Sequence, residues 1–119
     1  MVDLEEEEMD YQRAGGVLGA LAIILGAFGA HGLNGKVSDT QMDAWKTAST
    51  YHLIHSVAML TLSGPQHRPA AVCFLTGTTL FSGSLYAYAV TGEKGFGKVA
   101  PIGGLTLIAG WVLLALKRR

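Results

Sequence analysis

The sequence predicts an all-α integral membrane protein folded as a four-helix transmembrane bundle. Three observations lead to this prediction. Half of the 119 residues are hydrophobic and only 15% are charged, whereas about a quarter of the residues in soluble proteins are charged. The charged residues are clustered and leave four uncharged windows, at 14–35, 47–67, 69–92 and 99–116. Each window is close to the roughly 20 residues that a helix needs to cross a bilayer.

A soluble four-helix protein would carry charged or polar residues along the outer face of each helix. The four windows contain no Asp, Glu, Lys or Arg at all, so this alternative is disfavoured. The nine basic and nine acidic residues balance to zero net charge. Nucleic-acid binders are usually strongly basic, and we therefore predict no nucleic-acid partner and a lipid bilayer as the surroundings.

We predict an acidic N-terminal tail at 1–13, a membrane domain at 14–116 and a basic tail at 117–119. The four spans are placed near 14–33, 45–63, 70–91 and 99–116. Ser38 and Gln41 have the spacing of a capping box, which predicts that helix 2 begins near Asp39 and runs to Ser63. An even number of spans puts both termini on one side, and the basic tail favours the cytosol, matrix or stroma.

Small residues predict where the helices touch, because close packing holds helices together in lipid. Helix 1 has a stripe of small residues with spacings of three and four, opposite an arc of large apolar ones. Helices 2, 3 and 4 carry similar residues. The predicted contact positions are Gly15, Gly19, Ala22, Gly26, Gly29, Ser49, Ser56, Gly83, Gly103 and Gly110.

Helix 2 carries a polar stripe that should face the interior of the protein. The stripe consists of Trp45, Ser49, His52, Ser56, Met59 and Ser63, with His55 on its flank. Ionisable residues within a span are functional candidates, since burying them is costly. His31, at the end of helix 1, joins His52 and His55 as a weak candidate metal ligand. The alternatives are neutral histidines that hydrogen-bond across helices, a proton or ion path, and a metal or haem site.

No complete catalytic motif occurs in the chain, such as H-E-x-x-H, a phosphate-binding loop or G-x-S-x-G. We therefore predict that the protein is not an enzyme, with no catalytic residue and no cofactor.

Four sequence blocks resemble a known family. They are GAFGAHGL at 26–33, Tyr51-His52 with His55 and Ala58, GTTLFSGSLY at 77–86, and APIGG at 100–104 with Gly110-Trp111. Together they are similar to the small membrane family that includes transmembrane protein 256 and its bacterial relatives. The resemblance implies a multi-pass membrane protein without established activity. It implies an organellar membrane, mitochondrial or plastid, for a eukaryotic member and the plasma membrane for a bacterial one.

The predicted role is a non-catalytic accessory or scaffold subunit that packs with other subunits in or against a larger membrane complex, such as a bioenergetic one. Two alternatives remain open. The first is a small ion, proton or solute conductor that uses the histidines and serines of helix 2. The second is a haem or metal binder that uses the intramembrane histidines.

Overall fold

The computed structural model describes residues 4–116, with side chains from residue 9 onward. This part of the chain is helical and contains no strand, which confirms the all-α class. Its elements are α1 (Leu4–Gly32), α2 (Asp39–Leu60), a 3-10 turn (Pro65–His67), α3 (Arg68–Thr91), α4 (Lys94–Gly97) and α5 (Ala100–Leu116).

Consecutive long helices are antiparallel neighbours. α1 packs on α2, α2 on α3, and α3 on α5. Gly15 of α1 lies beside Leu60 at the end of α2, whereas Gly29 lies beside Trp45 near the start of α2. The helices therefore run alternately up and down, as the short connections between them require.

α2 and α3 form the central pair of the fold. Ser56 of α2 faces α1, while His55, the preceding residue, faces Trp111 of α5. In the described part of the chain, α1 and α5 share no interface comparable with the consecutive pairs. An up-and-down bundle would also pack the first helix on the last, so the predicted four-helix bundle is not confirmed.

The core has two parts, one at each end of the helices. At the first end Tyr11, Met59 and Phe74 pack together with Leu107, and the Tyr11 hydroxyl donates a hydrogen bond to the Gly64 carbonyl (3.2 Å). At the other end Leu33, Trp45 and Ala89 are buried together. The polar residues of α2 lie between these two apolar clusters.

Three segments are long and apolar enough to cross a membrane: Met9–Gly32, Pro65–Thr91 and Lys94–Leu116. The second predicted span, in α2, is not among them. Its serines, threonines and histidines lower the hydropathy of the helix, although no charged residue follows Lys46 within α2.

Several helix ends differ from the predicted ones. α1 begins at Leu4, so the acidic segment predicted as a tail is helical from that residue on; glutamate is a good helix former and favours helix N-termini. α2 begins at Asp39 behind the predicted capping box of Ser38 and Gln41, but ends at Leu60. Gly64, with φ +73°, then takes the left-handed conformation that glycine tolerates. The basic tail 117–119 lies outside the described residues.

Candidate functional site

The small residues of α1 lie along its contact with α2. A Cβ atom built on Gly15 would come within 2.8 Å of the Ser56 carbonyl, and one on Gly29 would overlap the Trp45 ring. Gly19 lies beside Ser56, and Gly26 beside Ser49. Ala22, midway between them, is buried. This stripe lets the two backbones approach closely.

The contact between α3 and α5 uses glycines from both helices. A Cβ on Gly103 would overlap the backbone of Phe81, and one on Gly110 would come within 2.7 Å of the Phe74 ring. Gly77, which the spacing argument missed, lies against Leu107 in the same way. Gly83 departs from the predicted pattern, because a Cβ there would meet no atom within 4 Å.

The polar stripe of α2 is directed into the protein. His52 and Ser56 are buried, and Ser49 is half-buried. The Trp45 indole N–H donates a hydrogen bond of 2.7 Å to the Leu25 carbonyl of α1, and the Ser82 hydroxyl of α3 donates one of 2.8 Å to the Ala48 carbonyl. These bonds join α2 to both of its neighbours.

His55 has hydrogen bonds at both ring nitrogens, which fix its tautomer. Nδ1 lies 2.7 Å from the Tyr51 carbonyl, an acceptor, so Nδ1 carries the hydrogen and donates it. Nε2 accepts the indole N–H of Trp111 at 2.9 Å. Phe74 and Trp111 pack against the ring, with centroids 5.4 and 5.6 Å away. His55 is thus held as a neutral residue that links α2 to α5, and neither nitrogen is available to a metal.

His52 has a different environment. Its Nδ1 lies 2.9 Å from the Tyr86 hydroxyl of α3, which in turn lies 3.4 Å from the Ser49 hydroxyl. Its other ring nitrogen, Nε2, is buried and forms no hydrogen bond of good geometry among the described residues, although the ring lies within reach of the Leu18 backbone of α1. The Thr78 hydroxyl of α3 is the second buried side-chain group without a partner there.

Other atoms of these two residues line an open cavity of about 160 Å³ between α1, α2 and α3, while the two unpartnered polar atoms are buried beneath its surface. Leu18 and Leu21 line it from α1, His52 from α2, and Thr78, Thr79, Ser82, Gly83 and Tyr86 from α3. The cavity is therefore lined by a histidine, a tyrosine and residues with hydroxyl groups from three helices, although the Ser82 hydroxyl is bonded to the Ala48 carbonyl.

The third histidine candidate lies apart from this site. His31 is exposed in the last turn of α1, whereas His52 and His55 are buried. No group of three or more His, Cys, Asp or Glu residues that could hold a metal ion occurs among the described residues.

Helical spacing in the sequence indicates His52 but not Thr78 or Ser82. α3 carries Thr76, Thr78, Thr79, Ser82 and Ser84, and these residues form no single stripe at helical spacing. The available signal was the pair of hydroxyl residues four positions apart, Thr78 and Ser82, one turn before Tyr86.

The chain matches the family model described as "Protein of unknown function (DUF423)" over residues 25–104. It is 41% identical to a UPF0382 membrane protein of Staphylococcus aureus over 110 residues, covering 84% of this chain and 90% of the relative. It is 34% identical to the UPF0382 membrane protein YwdK of Bacillus subtilis over 110 residues, covering 86% and 89%. No solved structure matches. The chain therefore belongs to the DUF423 family of small UPF0382 membrane proteins.

Proposed function

We propose that this chain crosses the membrane four times and serves as a non-catalytic accessory or scaffold subunit of a larger membrane assembly. The residues that the helices leave exposed support both this topology and this role.

The direction of the α2 side chains supports a fourth span. Leu53, Ile54 and Val57 point outward, with 40, 47 and 55% of their surface exposed. His52, His55 and Ser56 point inward and are buried. A soluble surface helix has the opposite arrangement. Lipid, which cannot hydrogen-bond to polar side chains, favours this one.

The exposure of the two outer helices supports the accessory role, and it is the observation on which that role rests. Only 17% of the most apolar stretch of Met9–Gly32 and 22% of that of Lys94–Leu116 are buried within the chain, against 39% for Pro65–Thr91. Large side chains on these outer faces are exposed, including Val17, Ile23, Leu105 and Ile108. Such faces can contact lipid or the helices of another subunit.

The test is the size of the complex that contains the protein in its native membrane. The tagged chain should be extracted in mild detergents and its mass measured by native electrophoresis and light scattering. We expect a particle much larger than 12.6 kDa plus detergent, with defined copurifying subunits. A lone monomer in every mild detergent would contradict the proposal.

Gly16 offers a matched pair of variants with Gly15. A side chain on Gly16 meets nothing within 4 Å in the chain, whereas one on Gly15 collides with α2. Gly16→Leu should therefore leave the monomer folded and weaken a contact made by the outer face of α1. Gly15→Leu should damage the fold itself.

A conductor of protons or small solutes is the second candidate. The chain of contacts from Ser49 through Tyr86 to His52 favours it, because hydroxyls and imidazoles can pass hydrogens along such a chain. Replacing His52 with Ala should abolish pH-dependent flux in liposomes. Replacing His55, whose two ring nitrogens are both hydrogen-bonded, should change the flux less. Absence of flux in the unmodified protein would exclude this candidate.

The haem or metal alternative has no comparable support and stays a prediction. Its test is the visible absorption spectrum and metal content of the purified protein.

The bacterial relatives support a plasma-membrane location. An organellar location and the nearer likeness to transmembrane protein 256 also remain predictions.

A further inference from the structure

The outer face of α2 carries a seven-residue repeat that stays exposed in the described chain. The repeat forms an outer stripe of positions three and four residues apart, which consists of Thr40, Asp43, Thr47, Thr50, Ile54, Val57 and Thr61. All of these residues are exposed. Every member except Asp43 is β-branched, and no β-branched residue of 39–61 lies outside the stripe.

Such a repeat is typical of a helix that packs along a second helix, because a spacing of 3.5 residues keeps one stripe facing the partner over its whole length. Valine and isoleucine have one strongly preferred rotamer in a helix, so they lose little freedom when a neighbour packs against them. In lipid, close packing and hydrogen bonds hold helices together. The outer stripe therefore indicates a helix contact that α1, α3 and α5 do not supply.

Two hydroxyl groups of the outer stripe support this conclusion. Thr50 is about 17 Å along α2 from Asp39 at the standard rise, near the middle of a hydrocarbon region about 30 Å thick. The Thr61 and Thr79 hydroxyls donate to carbonyls of their own helices, at 2.7 and 2.8 Å. Those of Thr47 and Thr50 form no such bond within the described chain. Lipid tails cannot hydrogen-bond to them, so a partner helix with polar groups would stabilise them.

These hydroxyls favour a second copy of the chain as the partner. All copies insert in the same orientation, so the α2 helices of two copies run parallel. A parallel pair with a seven-residue repeat places identical residues side by side. A threonine hydroxyl is both a donor and an acceptor, and Thr50 of one copy can therefore donate a hydrogen bond to Thr50 of the other.

The charges at the start of the outer stripe are also complementary between two copies. Asp43 belongs to the stripe, and Lys46 lies one turn further along α2. Neither forms an ion pair among the described residues. In a parallel pair these positions differ in height by about 4.5 Å, so Lys46 of each copy can reach Asp43 of the other.

The surroundings of α2 leave room for a second copy. α1 and α3 are bonded to the inner part of α2, through Trp45 and the Ala48 carbonyl. The second half of the outer stripe borders an open apolar groove of about 450 Å³. The groove is lined by Leu53, Ile54, Val57, Ala58, Thr61 and Trp111. Apolar side chains of a second α2 can enter this groove.

We infer that two copies of this chain associate in the membrane through a parallel, two-fold contact between their α2 helices along the outer stripe. The inference rests on the proposed four-span topology, because α2 must cross the membrane for the stripe to face lipid. It names a second copy as one partner of the proposed accessory subunit.

The experiment is oxidative cross-linking of single-cysteine variants in native membranes, after Cys73 is changed to alanine. Ile54→Cys and Val57→Cys lie on the outer stripe, at positions 47 and 55% exposed. Ile23→Cys on α1 and Leu105→Cys on α5 are controls at positions 65 and 68% exposed. A disulfide needs Cα atoms within about 7 Å of each other. We expect disulfide-linked dimers from the two stripe variants and none from the controls.

A matched pair of threonine variants measures the strength of the contact. Thr50→Val keeps the β-branched shape and removes only the hydroxyl. Sedimentation equilibrium in density-matched micelles should show a dimer dissociation constant about three- to twentyfold higher, the change that corresponds to one hydrogen bond between membrane helices. Thr79→Val removes an exposed hydroxyl that is bonded to its own helix and should leave the constant unchanged. Circular dichroism establishes that each variant is folded.

Several results would overturn the inference. Equal cross-linking of the control and stripe variants would mean random collision. A cross-linked product of any mass other than twice that of the chain would assign the stripe to a different protein, and no product at all would leave lipid as its only cover. Equal dissociation constants for Thr50→Val and Thr79→Val would exclude the hydroxyl contact.

Labelling of the loops on either side of α2 with a membrane-impermeant reagent separates this inference from the proposed topology. Labelling from opposite sides without a cross-linked dimer would refute the dimer and retain the four spans. Labelling of both loops from one side would refute both.

Discussion

At the scale of single residues, the closest helix contacts leave no room for even one added carbon. Gly103 of α5 lies directly on the backbone of α3, where a Cβ would overlap Phe81 and lie 2.9 Å from the Leu80 carbonyl carbon. Backbone atoms cannot move aside as a flexible side chain can. A methyl group at this position must therefore push the two helices apart.

We predict that Gly103→Ala lowers the free energy of unfolding by about 1–3 kcal/mol, the usual cost of overpacking. Gly104→Ala is the control, because its Cβ would lie 3.7 Å from the Phe81 ring, an ordinary contact. The control should be neutral or slightly stabilising, since alanine favours helices over glycine. Unfolding in mixed detergent micelles, followed by circular dichroism, measures both. Equal effects would contradict the contact described here.

Tyr86 gives a second prediction at this scale. Its hydroxyl is the partner of His52 Nδ1, and Tyr86→Phe would remove this hydrogen bond from the buried ring. We expect a loss of about 0.6–1.7 kcal/mol, from the average to the maximum measured for hydrogen bonds between membrane helices. Tyr88→Phe on the same helix is the control, because the Tyr88 ring is half-buried and outside the cavity. A larger loss in the control would contradict the role of the His52 contact.

Residue spacing predicted the close contacts of α1 well, because every small residue of that stripe lies on one helical face. It failed for Gly83, which has the same residue type but lines a cavity. It also failed for Thr78. The hydroxyl of a threonine in a helix can donate to the backbone of its own helix, as that of Thr79 does, or remain without such a bond, as that of Thr78 does. Only the three-dimensional environment distinguishes the two cases.

At the scale of helices, α2 shows that the average hydropathy of a helix does not reveal which of its side chains face outward. Its polar residues lower the average below that of the other three long helices, yet in its second half His52, His55 and Ser56 face inward while Leu53, Ile54 and Val57 face outward. The start of α2 was predictable, because the capping box of Ser38 and Gln41 is a local signal. Its end was less so, because the chain turns at Gly64, whose carbonyl accepts a hydrogen bond from the Tyr11 hydroxyl 53 residues earlier, a long-range contact that no local pattern indicates.

The capping box supplies a prediction for the helix as a whole. The Ser38 hydroxyl accepts the Gln41 N–H at 3.1 Å, and the Gln41 side chain accepts the Ser38 N–H at 3.1 Å. Ser38→Ala should lower the free energy of unfolding by about 1 kcal/mol, and Ser38→Gly by only a few tenths. Hydrogen exchange should show faster exchange in the first turn of α2 for the alanine variant. Unchanged exchange would show that the cap does not hold this end.

Gln41 also ties α2 to α3, since its side-chain amide donates to the Ala89 carbonyl at 2.9 Å. Gln41→Glu keeps an acceptor for Ser38 and loses this donor. We expect faster exchange at the end of α3 with little change at the start of α2, the reverse of the effect of Ser38→Ala. Protection factors measured at both helix ends distinguish the effect of the Ser38–Gln41 capping box from that of the Gln41–Ala89 hydrogen bond.

At the scale of the whole molecule, composition and charge clustering predicted the helical class and the membrane environment, because those depend on the solvent that surrounds the chain. They did not predict that α2 and α3 form a central pair flanked by α1 and α5. That arrangement depends on which helix faces are complementary, as at Gly103 with Phe81, and such pairing is a property of two segments together.

The number of membrane crossings is the property of the whole molecule that one experiment can decide. If α2 crosses, the loop before it and the loop after it lie on opposite sides. If it does not, both lie on the same side. Asn34 and Gln66 are exposed positions in these two loops, and each can be replaced by cysteine once the single native cysteine, Cys73, is changed to alanine.

We predict that a membrane-impermeant maleimide labels only one of the two variants in sealed vesicles and only the other in inverted vesicles. The reason is that the outward face of α2 is apolar over Leu53, Ile54 and Val57, whose exposure to water would cost roughly 25 cal/mol per Å² of apolar surface. Disruption of the vesicles with detergent should make both cysteines reactive, which controls for accessibility. Labelling of both variants from one side would mean that α2 lies along the membrane or within a larger assembly, and that the chain crosses three times.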